Sequence, residues 1–161
     1  MTGLTPGEAG CCVMVESASS LASRNANSLA KVERVELEME QQSVLKDEAV
    51  NGQAMKNALT KLLADYSASS PLISTLVCDL NGENWKAMQL ANARTANAAL
   101  SDSSPLIIPA GSLGDVGASV GAVCLCLATQ VFARNYNSLK TVLVTTSSEY
   151  GHVDVARLVH S

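Results

Sequence analysis

The stretch that most constrains this chain runs from Pro105 to Arg134, PLIIPAGSLGDVGASVGAVCLCLATQVFAR. An apolar run, Leu106-Ile107-Ile108, reaches a Gly-rich corner. The corner opens into an uncharged run from Val116 to Ala133. This pattern predicts a buried strand over 105–110, a tight turn, and a buried central helix over 117–135. Gly117, Ala118, Ser119, Gly121 and Ala122 fill the first turns of that helix, so a second backbone can approach it closely. A helix with no polar face must be covered on every side.

The rest of the chain supplies elements around this helix. Residues 8–16, EAGCCVMVE, follow a Pro6-Gly7 turn and read as a strand. Ser17 to Ala26 reads as a short helix. Lys31 to Gln41 alternates, with Val32, Val35, Leu37 and Met39 apolar and Glu36, Glu38 and Glu40 interleaved. That is a strand with one wet face and a slip of phase near Arg34. A helix is the competing reading, because Glu, Leu and Met favour helices. Gln53 to Tyr66 has helical spacing, and Pro71 ends the connection that follows. Leu72 to Leu80 reads as a strand, Trp85 to Leu100 as a helix, and Thr141 to Ser147 and Val153 to His160 as strands joined by a tight turn. The fold class is α/β, with a mixed, mainly parallel sheet. The C-terminal pair is an antiparallel hairpin.

Composition narrows the function classes. The 161 residues fit a single domain over 1–161, and 47% hydrophobic residues with 16% charged imply a real core. With aromatics at 3%, that core must be built from Ala, Val, Leu, Ile and Met. A net charge of −4 without a Lys/Arg cluster argues against nucleic acid or an anionic membrane surface as partner. The opening MTGLTPGEAG has no basic start and no long apolar stretch, so it does not read as a signal peptide. The 116–133 run is short for a membrane span and holds Ser119, Thr129 and Gln130. Cys11, Cys12, Cys78, Cys124 and Cys126 all sit in apolar runs, which reads as buried reduced thiols in a cytoplasmic protein.

The order of motifs resembles the C-terminal half of a β-ketoacyl synthase, a member of the thiolase superfamily. Gly7-Glu8-Ala9-Gly10 running into CCVMVES resembles the family's Gly-Glu-Gly-Ala strand, so that 8–41 resembles the closing strands of the N-terminal half. ISTLVCDLNGEN occupies the place of the strand ending in His-Gly-Thr-Gly-Thr. Gly114-Asp115-Val116-Gly117-Ala118 resembles the Gly-His-Thr-x-Gly-Ala corner, one residue shorter. TVLVTTSSEYGHVDVARLVH matches the closing hairpin and its Phe-Gly-Phe-Gly-Gly turn. The resemblance implies a Cys nucleophile in an N-terminal half, a segment this sequence lacks. It places the two catalytic histidines near Asp79-Leu80 and at Asp115, and the lysine near Gly111. The turn has become Ser148-Glu149-Tyr150-Gly151-His152. Asp79, Leu80, Gly111, Asp115, Gly151 and His152 are therefore vestigial active-site positions. A carboxylate at 115 would also repel the negative charge that builds up in decarboxylative condensation.

Individual residues read mostly as structural. Asp115 fits a helix cap, and Asp79 a turn residue. Cys78 lies next to the first vestigial position and is the thiol most worth testing. Cys124 and Cys126 point apart on a helix, and His152 and His160 lack a third ligand, so no metal and no cofactor is expected. The Glu33, Glu36, Glu38 and Glu40 series reads as a solvated face, with docking to a basic partner as the functional alternative. The helix and its corner, at Gly114, Gly117, Ala118, Gly121, Ala122 and Leu125, are the expected interface with a second thiolase-like chain, in a hetero- or homo-oligomer. The resemblance brings two settings to mind: inactive partners of active ketosynthases, and adaptors or chaperones of type VI secretion toxin effectors. The non-catalytic adaptor is the favoured expectation. The alternative is one subunit of a split acyl-transferring enzyme whose Cys lies on its partner.

Overall fold

The computed structural model describes residues 4–42, 44–46, 48–66, 73–97, 99–100, 104–134 and 140–161. Among them, five strands form one sheet: β1 (Lys31–Met39), β2 (Ile73–Cys78), β3 (Leu106–Ile107), β4 (Thr141–Ser147) and β5 (His152–Val159), in the order β1-β5-β4-β2-β3. β4 pairs in parallel with β2, and β2 with β3, whereas β5 runs antiparallel to both β4 and β1. The strands connected through helices are therefore parallel and the terminal hairpin is antiparallel, the mixed α/β sheet expected from the pattern. The slip near Arg34 is a register shift between Val32 and Arg34.

Helices cover both faces. On one side lie α2 (Gln53–Leu62) and α3 (Asn84–Thr95). Ala54, Met55, Ala58, Leu59 and Leu62 of α2 recur at helical spacing, and they pack with Leu90 and Ala93 of α3 against Leu76, Leu143, Val153 and Val155. On the other side α5 (Val120–Ala133) lays Cys124, Ala128, Val131 and Phe132 on Val77, Val142, Val144 and Leu158. A short helix α1 (Ala18–Ser23) is capped by Ser17, whose side chain accepts from the Ser20 N–H.

Several expectations change. Residues 8–16 do not form a strand: they run without a ladder across the start of α5. Their neighbours Thr5 and Gly7 bond the corner instead, with Asp115 N–H donating to the Thr5 carbonyl and Gly7 N–H to the Asp115 carbonyl. The segment 8–41 thus divides, since 31–39 is an edge of this chain's own sheet. The strand at 105–110 shortens to two residues because Pro109 opens a one-turn helix, α4 (Ala110–Leu113). Pro71, Leu72 and Asn135 lie outside the described residues.

The wet face of β1 is also reversed. Glu38 pairs with Lys61 of α2, the Glu40 carboxylate accepts the Ala54 N–H at the start of α2, and Glu33 pairs with Arg157. Glu40 is buried, so the glutamate series is not a solvated docking strip. The apolar residues Val35, Leu37 and Met39 are 50%, 69% and 47% exposed. They stand opposite Ala156, Asp154 and His152, on the α5 side of the sheet.

Arg157 ties β5 to the end of α2. It is buried on β5, forks onto both oxygens of Asp65 at 2.8 and 2.7 Å, and donates to the Leu62 carbonyl. The guanidinium holds the Asp65 carboxyl down at about 2, against an ordinary value of 3.8. A carboxylate whose folded value is depressed contributes stability above its unfolded value and loses it on protonation. The urea midpoint is expected to fall as pH drops from about 4 towards about 2, and Asp65→Asn should flatten that limb. Asp65 is exposed, so the effect is small. An unchanged acid limb in the variant would remove Asp65 as its source.

Candidate functional site

The Gly-rich corner, the C-terminal end of β2 and the β4–β5 turn converge on one open cleft of about 430 Å³. Asp79, Asn81 and Lys86 form one wall, Gly114, Asp115, Ala118 and Gly121 a second, and Ser147, Tyr150 and Asp154 a third. The corner takes its shape from close backbone approach. Gly114 has φ +73°, and a Cβ there would sit 2.7 Å from the Pro6 carbonyl oxygen. A Cβ on Gly7 would fall 1.8 Å from the Leu113 oxygen, so the N-terminal segment can cross the corner only as glycine.

Asp115 organises this corner with its side chain as well. Its Oδ1 accepts the Gly117 N–H at 2.7 Å, an Asx turn that starts the 3₁₀ turn Gly117–Ser119 ahead of α5. Its Oδ2 accepts from Asn81 Nδ2 at 2.7 Å. The carboxylate thus caps the turn before the helix rather than α5 itself, whose N-cap residue Ser119 makes no side-chain cap. Ser119 Oγ instead donates to the Ala9 carbonyl.

Asp79 is buried at the end of β2. Lys86 Nζ lies 2.5 Å from its Oδ2, the Ser147 N–H donates to the same oxygen at 2.8 Å, and Lys86 also donates to the Ser147 carbonyl. This joins β2, α3 and β4 through one ion pair. Pattern reasoning did not single out Lys86. The only signal was its phase, because Lys86, Gln89, Leu90 and Ala93 make the buried stripe of α3.

The other sequence candidates scatter. Leu80 packs on the α2–α3 core. Gly111 is exposed on α4. Gly151 is buried, and its carbonyl accepts the Glu40 N–H, while His152 is exposed beside Met39. His160 meets the Phe132 ring edge-on at 5.7 Å. Cys78 is buried, its thiol pushed up to about 11 by desolvation, and Cys124 likewise to about 12. Neither forms a thiolate near neutral pH. The five cysteines are not uniformly buried: Cys12 is exposed and Cys11 and Cys126 are half-buried. Among the described residues no three His, Cys, Asp or Glu side chains cluster as a metal site.

The small-residue face of α5 is only partly covered. A Cβ added at Gly121 meets nothing within 4 Å, and Ala122, Leu125 and Leu127 are only half-buried. Among the described residues no helix is long and apolar enough to cross a membrane.

No family model and no curated protein matches the sequence. Solved structures do. A β-ketoacyl synthase from Burkholderia phymatum superimposes with a TM-score of 0.77 at 12% identity, over 91% of this chain and 41% of that one. The ishigamide ketosynthase/chain length factor gives 0.75 at 14%, over 91% and 41%. The AntDE:AntF complex of a type II polyketide acyl-carrier protein with its ketosynthase gives 0.73 at 15%, over 91% and 42%. The chain spans less than half the length of these structures. Its mixed sheet and flanking helices make up part of a thiolase-like, ketosynthase-type fold.

Proposed function

We propose that this chain is a non-catalytic thiolase-like subunit that works as an adaptor, chaperone or structural partner within a complex. The observation that carries this reading is what the two carboxylates do. The resemblance expects a catalytic histidine near Asp79 and at Asp115. Here Asp115 holds the corner through Gly117 and Asn81, and Asp79 is tied to Lys86 and Ser147. Histidines there would stabilise a developing negative charge, whereas carboxylates oppose it.

The partner we infer is a second thiolase-like chain, in a hetero- or homo-oligomer. Val35, Leu37 and Met39 on an edge strand, and the half-open face of α5, give it an apolar surface on one side of the sheet. An exposed apolar edge strand is a pairing template that proteins normally cover. The solved ketosynthase/chain length factor pairs a ketosynthase with a second protein, and the other solved ketosynthase is in complex with an acyl-carrier protein, which supports a role within a complex. A cytoplasmic role beside a type VI secretion toxin effector is the finer form of the proposal and rests on the resemblance alone. The alternative is a split acyl-transferring enzyme, favoured by the cleft beside Asp79 and Asp115.

Co-purification with the products of neighbouring genes, followed by mass measurement, tests the proposal. A stable complex that turns over no acyl thioester is the expected result. A monomer in every combination removes the pairing, and condensation by the complex selects the alternative. Asp115→His should leave condensation undetectable and lower stability by about 1–3 kcal/mol, because Asn81 and the Gly117 N–H lose their acceptor.

A further inference from the structure

Backbone bonds hold the N-terminal segment on the corner, and a thiol contact holds it on α5. Cys11 Sγ lies 2.6 Å from Cys126 Sγ, closer than non-bonded sulfurs normally pack, and 3.1 Å from the Ala122 carbonyl oxygen. The two thiols are 115 residues apart in sequence and come together only because 5–16 crosses the corner. Both are half-buried, so a small reagent can reach them, whereas Cys78 and Cys124 are sealed in the core. Cys12, next in sequence, is exposed and has no thiol partner among the described residues. The approach is specific to one cysteine of the N-terminal pair and one of the helix pair.

We propose that Cys11 and Cys126 form a dithiol–disulfide site, oxidised by a low-molecular-weight disulfide, that staples the N-terminal segment to α5. One thiolate of the pair attacks a sulfur of the small disulfide and expels one small thiolate. The second cysteine thiolate then attacks the mixed disulfide and expels the other. The protein loses two protons and two electrons, and the small disulfide is reduced to two thiols. The bond closes most of the chain into a loop, so it restricts the unfolded state strongly. It also fixes the segment over Ala122 and Cys126, beside the open face of α5. The inference stands on this geometry and is independent of the proposed partner.

Oxidised glutathione is the probe, applied to the whole chain in its folded state. The expected product is lighter by two hydrogen atoms, yields a linked peptide pair containing Cys11 and Cys126, and reverts with dithiothreitol. Its unfolding midpoint should rise by about 10 °C, the scale set by crosslinking a loop of this length. Cys12→Ser should behave as the parent does, and Cys11→Ser should lose both the linkage and the shift. A stable glutathione adduct without the linkage, or a Cys12–Cys126 pair, overturns the proposal. Peptide mapping of the parent chain decides the matter even if a cysteine variant fails to fold.

Discussion

Replacing Lys86 by Met is expected to lower the stability of the folded chain by about 3–5 kcal/mol, read from urea unfolding. Asp79 is 3% exposed and takes its cation from α3 at 2.5 Å. Without Lys86 the carboxylate stays in the core with the Ser147 N–H and hydroxyl as its remaining donors among the described residues. The double change Lys86→Met with Asp79→Leu should recover most of the loss, because removing both charges also removes their desolvation cost. Equal losses in the single and double variants would show that the site depends on packing rather than charge. The result bears on function, since this pair sits where the resemblance expects catalytic machinery. In the proposed reading the pair is a wall of the cleft.

The second large effect is expected at the exposed strip of β1. Val35→Asp together with Leu37→Asp should weaken pairing with the thiolase-like partner by about a hundredfold or more, as loss of a central apolar anchor does. The stability of the isolated chain should change by no more than about 0.5 kcal/mol, since both side chains are already at least half in water. Titration against the partner found by co-purification, or sedimentation if the partner is a second copy, gives the measurement. Unchanged affinity would move the interface off this face of the sheet. The aspartates face the same side as Asp154 and the cleft, so they place charge where the partner must bury apolar surface.

Much of the architecture was legible because its signals are local. The uncharged run after the corner, the 3.6-residue spacing of Ala54, Met55, Ala58, Leu59 and Leu62, and the two β-rich runs at the C-terminus each specify an element and its period. Parallel pairing across the helical connections followed from chain topology. The phase slip at Arg34 appeared as a break in alternation, and it is a register shift in the sheet.

Other features depended on what lies across from a residue. EAGCCVMVE has a strand's composition, yet its backbone groups meet no ladder within the described residues. The segment crosses α5, and Gly7 and Gly114 let its start pass close over the corner. Alternation in β1 showed that its two faces differ but not which one is covered. Lys61 and the free N–H groups at the start of α2 draw the glutamates inward, leaving Val35, Leu37 and Met39 outside. No periodicity pairs Lys86 with Asp79 across the turn between β2 and α3, and nothing near Cys11 points to Cys126.

By itself, the sequence determined the elements, the mixed sheet and the Gly-rich entry to an apolar helix, because period and turn chemistry act over a few residues. Only the tertiary structure decided which face of β1 is wet, that Asp115 meets Asn81 and Asp79 meets Ser147, and that one thiol from each cysteine pair meets the other. Those outcomes are set by contacts between segments distant in sequence, where burial, charge and backbone approach are decided together.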